Sequence, residues 1–383
     1  LQLAGNSNSL LVTNSLLLSA ESPVFAIDSP DVTSDDNQNS TSSINVVRST
    51  LATSHSLFVV NGKGSSMQVA LEETQCFSAG STDSPLIDLK QWAVSPTPQP
   101  SQSSAHNFRW TTNASDFRGW KTLLRSGVNA VEPITEIAVW KKFWDDSFNN
   151  SDFTTDAWTA PQPIDALSFN DKNWTDNSSS GVPTDALSLP SPSIQSTTHE
   201  MTGLSEDSPT AFSGPPPATI ELNLDKTNLD DELKKTSWKS GTRFLLSGTQ
   251  TDLLRPIVVE GRSLILEMAP NQPEGFDLQP RKNFSESLLT VQNASLKLIN
   301  VRMRVPNRSR DSEQPAWLLN VTNGSLSVVK SHLSGPYLEN DHYHYRGLIH
   351  WETGTGRSLP ESQPRRHLLE ISSSVLLTRG VAV

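Results

Sequence analysis

The sequence predicts an all-β solenoid, a fold in which short strands stack on copies of themselves. One pattern occurs twice at an offset of 30 residues: Leu289, Val291, Asn293, Ser295, Leu296 and Leu298 recur as Leu319, Val321, Asn323, Ser325, Leu326 and Val328. Apolar and polar residues alternate within each copy, which is the period of a strand buried on one face. The asparagine between the strands tolerates the left-handed backbone angles of a turn. Neither copy buries its apolar face alone, so the copies are expected to stack.

These aliphatic pairs and the shared register of Asn293 and Asn323 resemble the right-handed parallel β-helix of the pectate-lyase-like superfamily, as found in large bacterial extracytoplasmic proteins. The resemblance implies coils with in-register aliphatic stacks and asparagine at the turns. It is a resemblance of architecture and covers about half of the chain. Both enzymes and non-enzymes share that architecture, so the resemblance predicts the fold and leaves the chemistry open.

The pattern divides the chain into four parts. Residues 1–92 are interpreted as the last coils of a first β-helix, because Phe25 and Ile27 recur as Phe58 and Val60 after 33 residues. Residues 93–176 form a Trp-rich cap region, and residues 177–217 form a Pro- and Ser-rich linker. Residues 218–383 are expected to form a capping helix and the first coils of a second, truncated β-helix. The chain opens and closes on repeats and lacks an initial Met, so we expect a piece of a longer protein.

Proline marks where several strands begin. Pro23, Pro85 and Pro315 each precede an alternating apolar segment. Proline lacks the N–H that a sheet needs, so it is tolerated at the start of a strand and disfavoured in its middle.

Two short helices are predicted in the Trp-rich region. Ser115 is placed at the start of the first, with Phe117, Trp120 and Leu124 on one face and Gly127 at its end. Pro133 is placed at the start of the second, whose inner face carries Ile134, Ile137, Trp140 and Trp144. The open end of a solenoid is an exposed sheet edge, so these tryptophans are expected to cover the last coil. Aromatic platforms for sugar rings are the alternative.

A third short helix is predicted after Asn228, at the start of the second segment. Its first turn is acidic and Lys234 and Lys235 follow, the order that the helix dipole favours. Leu229, Leu233 and Trp238 supply its apolar face. The resemblance implies that this helix is an N-terminal cap.

Composition restricts the partners. The chain carries 41 acidic and 30 basic residues, a formal charge of −11, which argues against nucleic acid and anionic membranes. Cys76 is the only cysteine, so no intrachain disulfide is possible, and we interpret it as a buried, inert thiol. No apolar run reaches 18 residues, so no membrane span is predicted in this chain. Low cysteine with abundant Ser, Thr and Asn is associated with secreted or cell-surface proteins.

The densest cluster of reactive side chains lies in the insertion between Gly335 and Arg366. His342 and His344 project from the same face if the segment is extended, and with Asp341 and His350 they are candidate metal ligands. His344, Tyr345 and Arg346 are the candidate catalytic residues, because β-helix lyases need a cation to neutralise a uronate and a base to remove a proton. A solvated loop with incidental histidines is the alternative.

An acidic loop is the second candidate ion site. Asp28, Asp31, Asp35 and Asp36 are candidate calcium ligands, although the segment lacks an EF-hand loop and a glycine-rich nonapeptide. A solvated acidic loop is the favoured interpretation. No other cofactor is indicated.

The favoured functional hypothesis is a non-catalytic extracytoplasmic scaffold or binding module within a larger protein, with a polysaccharide or a cell-surface protein as ligand. One alternative is a polysaccharide lyase or glycoside hydrolase. Another is the ectodomain of a membrane-anchored signalling protein such as a serine/threonine kinase. The sequence leaves catalysis undecided and favours its absence.

Overall fold

In the part of the chain that the structure describes, the fold is nearly all β, with two short helices and three large parallel sheets. The structure is a computed structural model. It describes residues 1–5, 9–20, 22–28, 41–61, 66–78, 83–93, 108–128, 132–144, 148–149, 151–155, 181–183, 218–248, 253–254, 256–270, 272, 278–280, 287–305, 317–335, 347–353 and 368–378.

The strands are numbered along the chain and grouped here by sheet. Sheet A contains β1 Gln2–Gly5, β4 Phe25–Asp28, β7 Phe58–Asn61, β10 Ile87–Ala93, β13 Leu124–Val128, β19 Ile257–Glu260, β22 Leu289–Gln292, β25 Trp317–Thr322 and β28 Gly347–Thr353. Sheet B contains β2 Ser9–Thr13, β5 Thr41–Val47, β8 Ser66–Glu72, β11 Phe108–Asn113, β14 Phe148–Asn149, β16 Thr219–Asn223, β17 Thr242–Ser247, β20 Leu264–Met268, β23 Ser295–Ile299, β26 Ser325–Val329 and β29 Leu368–Ser372. Sheet C contains β3 Leu16–Ser19, β6 Thr50–Thr53, β9 Gln75–Ser78, β12 Asp116–Arg118, β15 Asp152–Thr154, β24 Arg302–Arg304, β27 His332–Ser334 and β30 Val375–Thr378. A small fourth sheet pairs β18 Leu253–Leu254 with β21 Gln279–Pro280, and the helices are α1 Ile137–Phe143 and α2 Leu229–Lys234.

The chain visits sheets A, B and C in turn, and we call one such passage a rung. The order of strands in the sheets differs from their order in the sequence. The rung β28–β29–β30 pairs in parallel with the rung β1–β2–β3 in all three sheets. The two halves, which the sequence analysis treats as separate segments, therefore share their sheets, with the later half stacked before the earlier one.

The 30-residue repeat is in register in the structure. Leu289 pairs with Leu319 in sheet A, and Leu296 pairs with Leu326 in sheet B. Asn293, between β22 and β23, has a φ of 52°, and its counterpart Asn323 has a φ of 51°. The predicted left-handed bend is confirmed at both positions. The predicted pairing of Phe25 with Phe58 across 33 residues is also confirmed.

The corner between sheets B and C carries a second repeated turn, which contains a ladder of serine side chains. Ser331 N–H donates to Ser374 Oγ at 3.1 Å, Ser374 N–H donates to Ser15 Oγ at 3.2 Å, and Ser15 N–H donates to Ser49 Oγ at 3.1 Å. Each bond joins one rung to the next, and the middle bond crosses between the two halves. The ladder satisfies buried N–H groups at corners that the sheets do not pair.

Aromatic rings fill the core of the earlier half and close its end. Phe25 and Phe58 stack with their centroids 4.8 Å apart, and the ring of Trp110 meets Phe58 edge-on at 5.5 Å. Trp140, on α1, is fully buried and lies 6.0 Å from Trp110. Trp144 is also buried in the core. The interpretation that these tryptophans pack against the last rungs is confirmed for α1, while Trp158 and Trp174 lie outside the described residues.

The helix predicted from Ser115 is wrong, because that segment contains strands. Phe117 lies in β12 and Leu124 begins β13, both of which extend the parallel sheets. Three apolar residues at helical spacing are also compatible with two short strands that meet at a corner. Here the strands form because they pair with the strands of the preceding rung. The helix predicted from Pro133 exists but begins at Ile137.

A short helix is present where the sequence predicts one after Asn228. α2 begins after Asn228, and its Leu229 and Leu233 are buried. The indole of Trp238 donates from Nε1 to the carbonyl of Leu233 at 3.1 Å. The helix ends at Lys234, so Trp238, which is predicted on its apolar face, lies beyond the helix.

Part of the predicted linker is docked on sheet C. Val182 is fully buried, and its N–H donates to Thr50 Oγ1 at 3.1 Å. The N–H of Gly181 donates to the carbonyl of Glu73 at 2.7 Å. A Cβ at Gly181, whose φ is +92°, would lie 2.5 Å from the amide oxygen of Gln75. The positive φ favours glycine here, and residues 181–182 form a contact that the sequence does not indicate.

Cys76 is buried between β6 and β12, as predicted. Burial raises the pKa of its thiol well above the ordinary value, and the nearby Asp116 carboxylate adds to this effect. A thiol with a raised pKa is a poor nucleophile, which fits the interpretation of an inert side chain.

Replacing Asn293 tests the left-handed bend. We expect Asn293→Val to lower the free energy of unfolding by about 1–2 kcal/mol, because a β-branched residue is strained at positive φ. Asn293→Gly is the control and should stay within about 1 kcal/mol of the parent chain. Urea denaturation measures both, and equal stability of the two variants would contradict the bend.

Replacing Val182 tests the docked segment. Val182→Asp places a carboxylate at a fully buried position and should destabilise the chain by about 2–4 kcal/mol. Val139→Asp on α1 is the matched control, since Val139 is 47% exposed and the change should cost less than about 0.5 kcal/mol. Thermal unfolding and limited proteolysis compare them. Similar behaviour of the two variants would mean that residues 181–182 are only a linker.

Candidate functional site

A groove with polar side chains runs across the outer face of sheet A in the earlier half. Strand alternation produces it: Phe25 and Ile27 are buried in the core, whereas Ala26 and Asp28 point outward. Neighbouring strands repeat the alternation in register, so outward residues form rows across the sheet. The polar side chains that line the groove from these strands are Gln2, Asp28, Asn61, Asp88, Lys90 and Arg125.

Asp28 lies at the centre of a hydrogen-bonded row. Gln2 Nε2 donates to Asp28 Oδ2 at 2.5 Å, and Asn61 Nδ2 donates to Asp28 Oδ1 at 2.7 Å. The three residues come from three adjacent strands, β1, β4 and β7. The row presents amide groups and a carboxylate, which both donate to and accept from a ligand with hydroxyl groups.

Asp88 and Arg125 form an ion pair two strands from Asp28. Arg125 Nη2 donates to Asp88 Oδ2 at 2.5 Å, and Arg125 Nε donates to Asp88 Oδ1 at 3.2 Å, a bidentate geometry. The Asp88 side chain is 6% exposed and that of Arg125 is 47% exposed. The hydrogen bond to Asp88 raises the pKa of Arg125 above its ordinary value, against the opposing effect of burial. The Arg125 guanidinium is therefore charged at neutral pH.

The groove deepens into a cavity of about 340 Å³, which is within the size range of small-molecule sites. Its lining also includes residues from the region where sheet C leads into sheet A. The apolar residues there are Leu17, Leu18, Val24, Leu348 and Leu376. Leu17 and Leu376 belong to paired strands on the two sides of the contact between the halves. Trp317 and Gly347 add a wall from the later half. The cavity is thus lined by both polar and apolar residues, and the apolar ones are almost completely buried.

Of the candidate residues proposed from the sequence, His350 is described and lies beside this groove. Its Nδ1 is 2.9 Å from Asn320 Oδ1, and its ring stacks on Trp317 with centroids 5.2 Å apart. In sheet A it is in register with Gln2. Asp341, His342, His344, Tyr345 and Arg346 lie outside the described residues.

The candidate calcium loop is described only at its first residue. Asp28 is held by the amides of Gln2 and Asn61, and Asp31, Asp35 and Asp36 lie outside the described residues. Among the residues that the structure describes, no three His, Cys, Asp or Glu side chains come together as ligands for a metal ion. Both proposed ion sites therefore remain predictions.

Sequence reasoning did not identify Asp88 and Arg125 as partners. They are 37 residues apart, and only the pairing of β10 with β13 brings them together. The available signal is their position: each is the second residue of its strand, and its neighbours Ile87 and Leu124 are buried. Aligning strand starts would have placed the two in one row.

No family model matches this chain, and neither a curated protein nor a solved structure does.

Within the described part of the chain, no helix is sufficiently long and apolar to cross a membrane.

A double-mutant cycle tests the Asp88–Arg125 pair. Arg125→Met leaves a nearly buried carboxylate without its cation and should lower the free energy of unfolding by about 1–3 kcal/mol. Adding Asp88→Asn should recover much of that loss, because the remaining polar group is neutral. Arg48→Met is the control: its ion pair with Glu73 is exposed on both sides, and its loss should cost less than about 1 kcal/mol.

Urea denaturation at neutral pH of Arg125→Met, Asp88→Asn, the double variant and the Arg48→Met control measures the cycle. A loss in Arg125→Met no greater than that in Arg48→Met, or no recovery in the double variant, would contradict a structural role for the pair.

Proposed function

We propose that the three sheets form a right-handed parallel β-helix and that this chain is a non-catalytic binding module whose ligand is a saccharide. The single observation that carries the functional proposal is the row of Gln2, Asp28 and Asn61 at the opening of the cavity. Side-chain amides and carboxylates in a fixed row match the alternating donors and acceptors of sugar hydroxyls. In this proposal the module belongs to a larger extracytoplasmic protein.

The size of the site favours a saccharide over a protein ligand. A protein partner usually covers about 800 Å² of surface on each side, with aromatic side chains and Arg in the centre. The polar row here borders a cavity of about 340 Å³, a volume suited to one or a few sugar units. A cell-surface protein is the alternative ligand to a saccharide.

The geometry of the carboxylates supports binding over hydrolysis. β4 and β10 are two strands apart, and Asp28 is two residues beyond the position in register with Asp88. Their backbones are therefore about 12 Å apart. Carboxyl groups that cleave glycosides are typically about 5–9.5 Å apart, so the side chains of Asp28 and Asp88 would have to lean towards each other to form such a pair. Asp88 is also held by Arg125 in a bidentate ion pair, which directs its carboxylate to Arg125 and away from a shared role with Asp28.

The enzymatic alternative rests on residues 341–346. His344, Tyr345 and Arg346 belong to a segment that follows β27 and precedes β28, and Gly347 at its end lines the cavity. A lyase would need two of these groups beside the polar row. Because this segment leads directly to the cavity residue Gly347, the binding experiment also measures cleavage of the polysaccharide.

The experiment uses the purified chain on immobilised neutral and acidic polysaccharides, with and without calcium. We expect retention without new reducing or unsaturated ends. Asp28→Ala should weaken retention about tenfold or more, since it removes a charged acceptor and frees two amides. Glu370→Ala is the matched control: Glu370 is an acidic residue on sheet B that accepts a hydrogen bond from Ser327.

Each outcome bears on the proposal. Equal loss in the two variants would place the ligand elsewhere than the groove. New chain ends that disappear in His344→Ala or Arg346→Ala would replace the binding module with an enzyme. No retention on any polysaccharide would overturn the saccharide ligand.

A further inference from the structure

The outward row of sheet A that contains Gln2 continues into the later half. Gln2 on β1 is in register with His350 on β28, and His350 is in register with Asn320 on β25. Adjacent strands of a sheet lie about 4.8 Å apart, so side chains at the same level of neighbouring strands are within reach of one ligand. The polar row of the groove therefore has a polar continuation on the other side of the contact between the halves.

His350 and Asn320 are half-buried, and their side chains are oriented by contacts with each other and with Trp317. His350 Nδ1 lies 2.9 Å from Asn320 Oδ1, and the His350 ring stacks on Trp317 at an interplanar angle of 22°. Trp317 is 9% exposed, so its indole orients the imidazole and leaves ligand contacts to the other two side chains. Asn320 Nδ2 donates to no residue in the described part of the chain. An oriented imidazole and a carboxamide with N–H donors are groups that bind sugar hydroxyls.

We propose that His350 and Asn320 are a second subsite of the groove, and that the ligand is a linear oligosaccharide of about four sugar units that binds both this subsite and the polar row. This inference rests on the proposed function and specifies the length and direction of its ligand. The polar row and the second subsite lie on five adjacent strands of sheet A, β7, β4, β1, β28 and β25. These strands span about 19 Å, and both one strand spacing and one pyranose unit in a chain are about 5 Å long. Each sugar unit thus lies over about one rung.

Calorimetric titration of the full chain with oligosaccharides of increasing length tests the inference. The probes are β-1,4-linked oligomers of glucose, mannose and xylose and α-1,4-linked oligomers of galacturonate, each with one to six units. In the series that binds, affinity should rise at least about tenfold from one unit to four, because the later units reach the second subsite. From four units to six, affinity should change less than about twofold, because the added units contact neither the polar row nor the second subsite.

Variants of the later half separate the second subsite from the polar row. His350→Phe keeps a ring that can stack on Trp317 and removes both ring nitrogens, whereas Asn320→Ala removes the carboxamide. Each should weaken binding of the four-unit oligomer about fivefold or more and change that of the one- and two-unit sugars less than about twofold. Asp28→Ala should weaken binding of all lengths. Asn45→Ala is the matched control, since Asn45 is an exposed asparagine on sheet B, and it should change no affinity.

The possible results distinguish this inference from the proposed function. Binding that is as tight for one unit as for four would overturn the extended ligand and leave the binding module intact. A gain with length that His350→Phe and Asn320→Ala both leave unchanged would place the later units elsewhere and overturn the second subsite. Equal weakening of all lengths by these two variants would indicate a structural role for the pair and would also overturn it. Failure of every saccharide to bind would overturn both proposals.

Discussion

In-register pairing of parallel strands is the constraint on which the rest of the structure depends. Each inner strand satisfies its N–H and carbonyl groups on the rungs before and after it, and alternate side chains point in or out. A slip of one residue would turn Phe25 and Ile27 outward and Asp28 inward. The register therefore sets the hydrophobic core and the polar groove together. The serine ladder at the corner from sheet B to sheet C repeats that register with one hydrogen bond per rung.

Much of the fold could be predicted from the sequence, because rungs that stack on one another repeat the same pattern of residues along the chain. The 30-residue repeat predicted the partners of Leu289 and Leu296, and the bends at Asn293 and Asn323 followed from residue type. Corners with other residues could not be predicted in this way. Arg48 and Glu73 also adopt a positive φ, although neither residue type favours it. At such corners tertiary pairing overrides the local preference for negative φ.

The order of the rungs and the groove could not be predicted, for a shared reason. Both depend on pairs that are distant in sequence, such as Leu17 with Leu376 and Asp88 with Arg125. Residues 341–346 are a dense cluster of reactive side chains along the sequence, so a sequence-based search for a site finds them first. By contrast, the polar row is assembled from single outward residues of three strands, each unremarkable alone. Among the described residues, Asp28 and His350 are the sequence candidates that lie in or beside the groove.

The contact between the halves gives the groove a property that a site within one half would lack. Open edges of parallel sheets present unpaired backbone groups, and the pairing of β28–β30 with β1–β3 covers two such edges in all three sheets. The cavity is lined from both sides of this contact, by Leu18 and by Leu348. A ligand that touches both sides binds only the paired arrangement, so its binding free energy adds to the stability of the contact. By the same linkage, any change that weakens the pairing lowers the affinity for the ligand, even if it lies far from the groove.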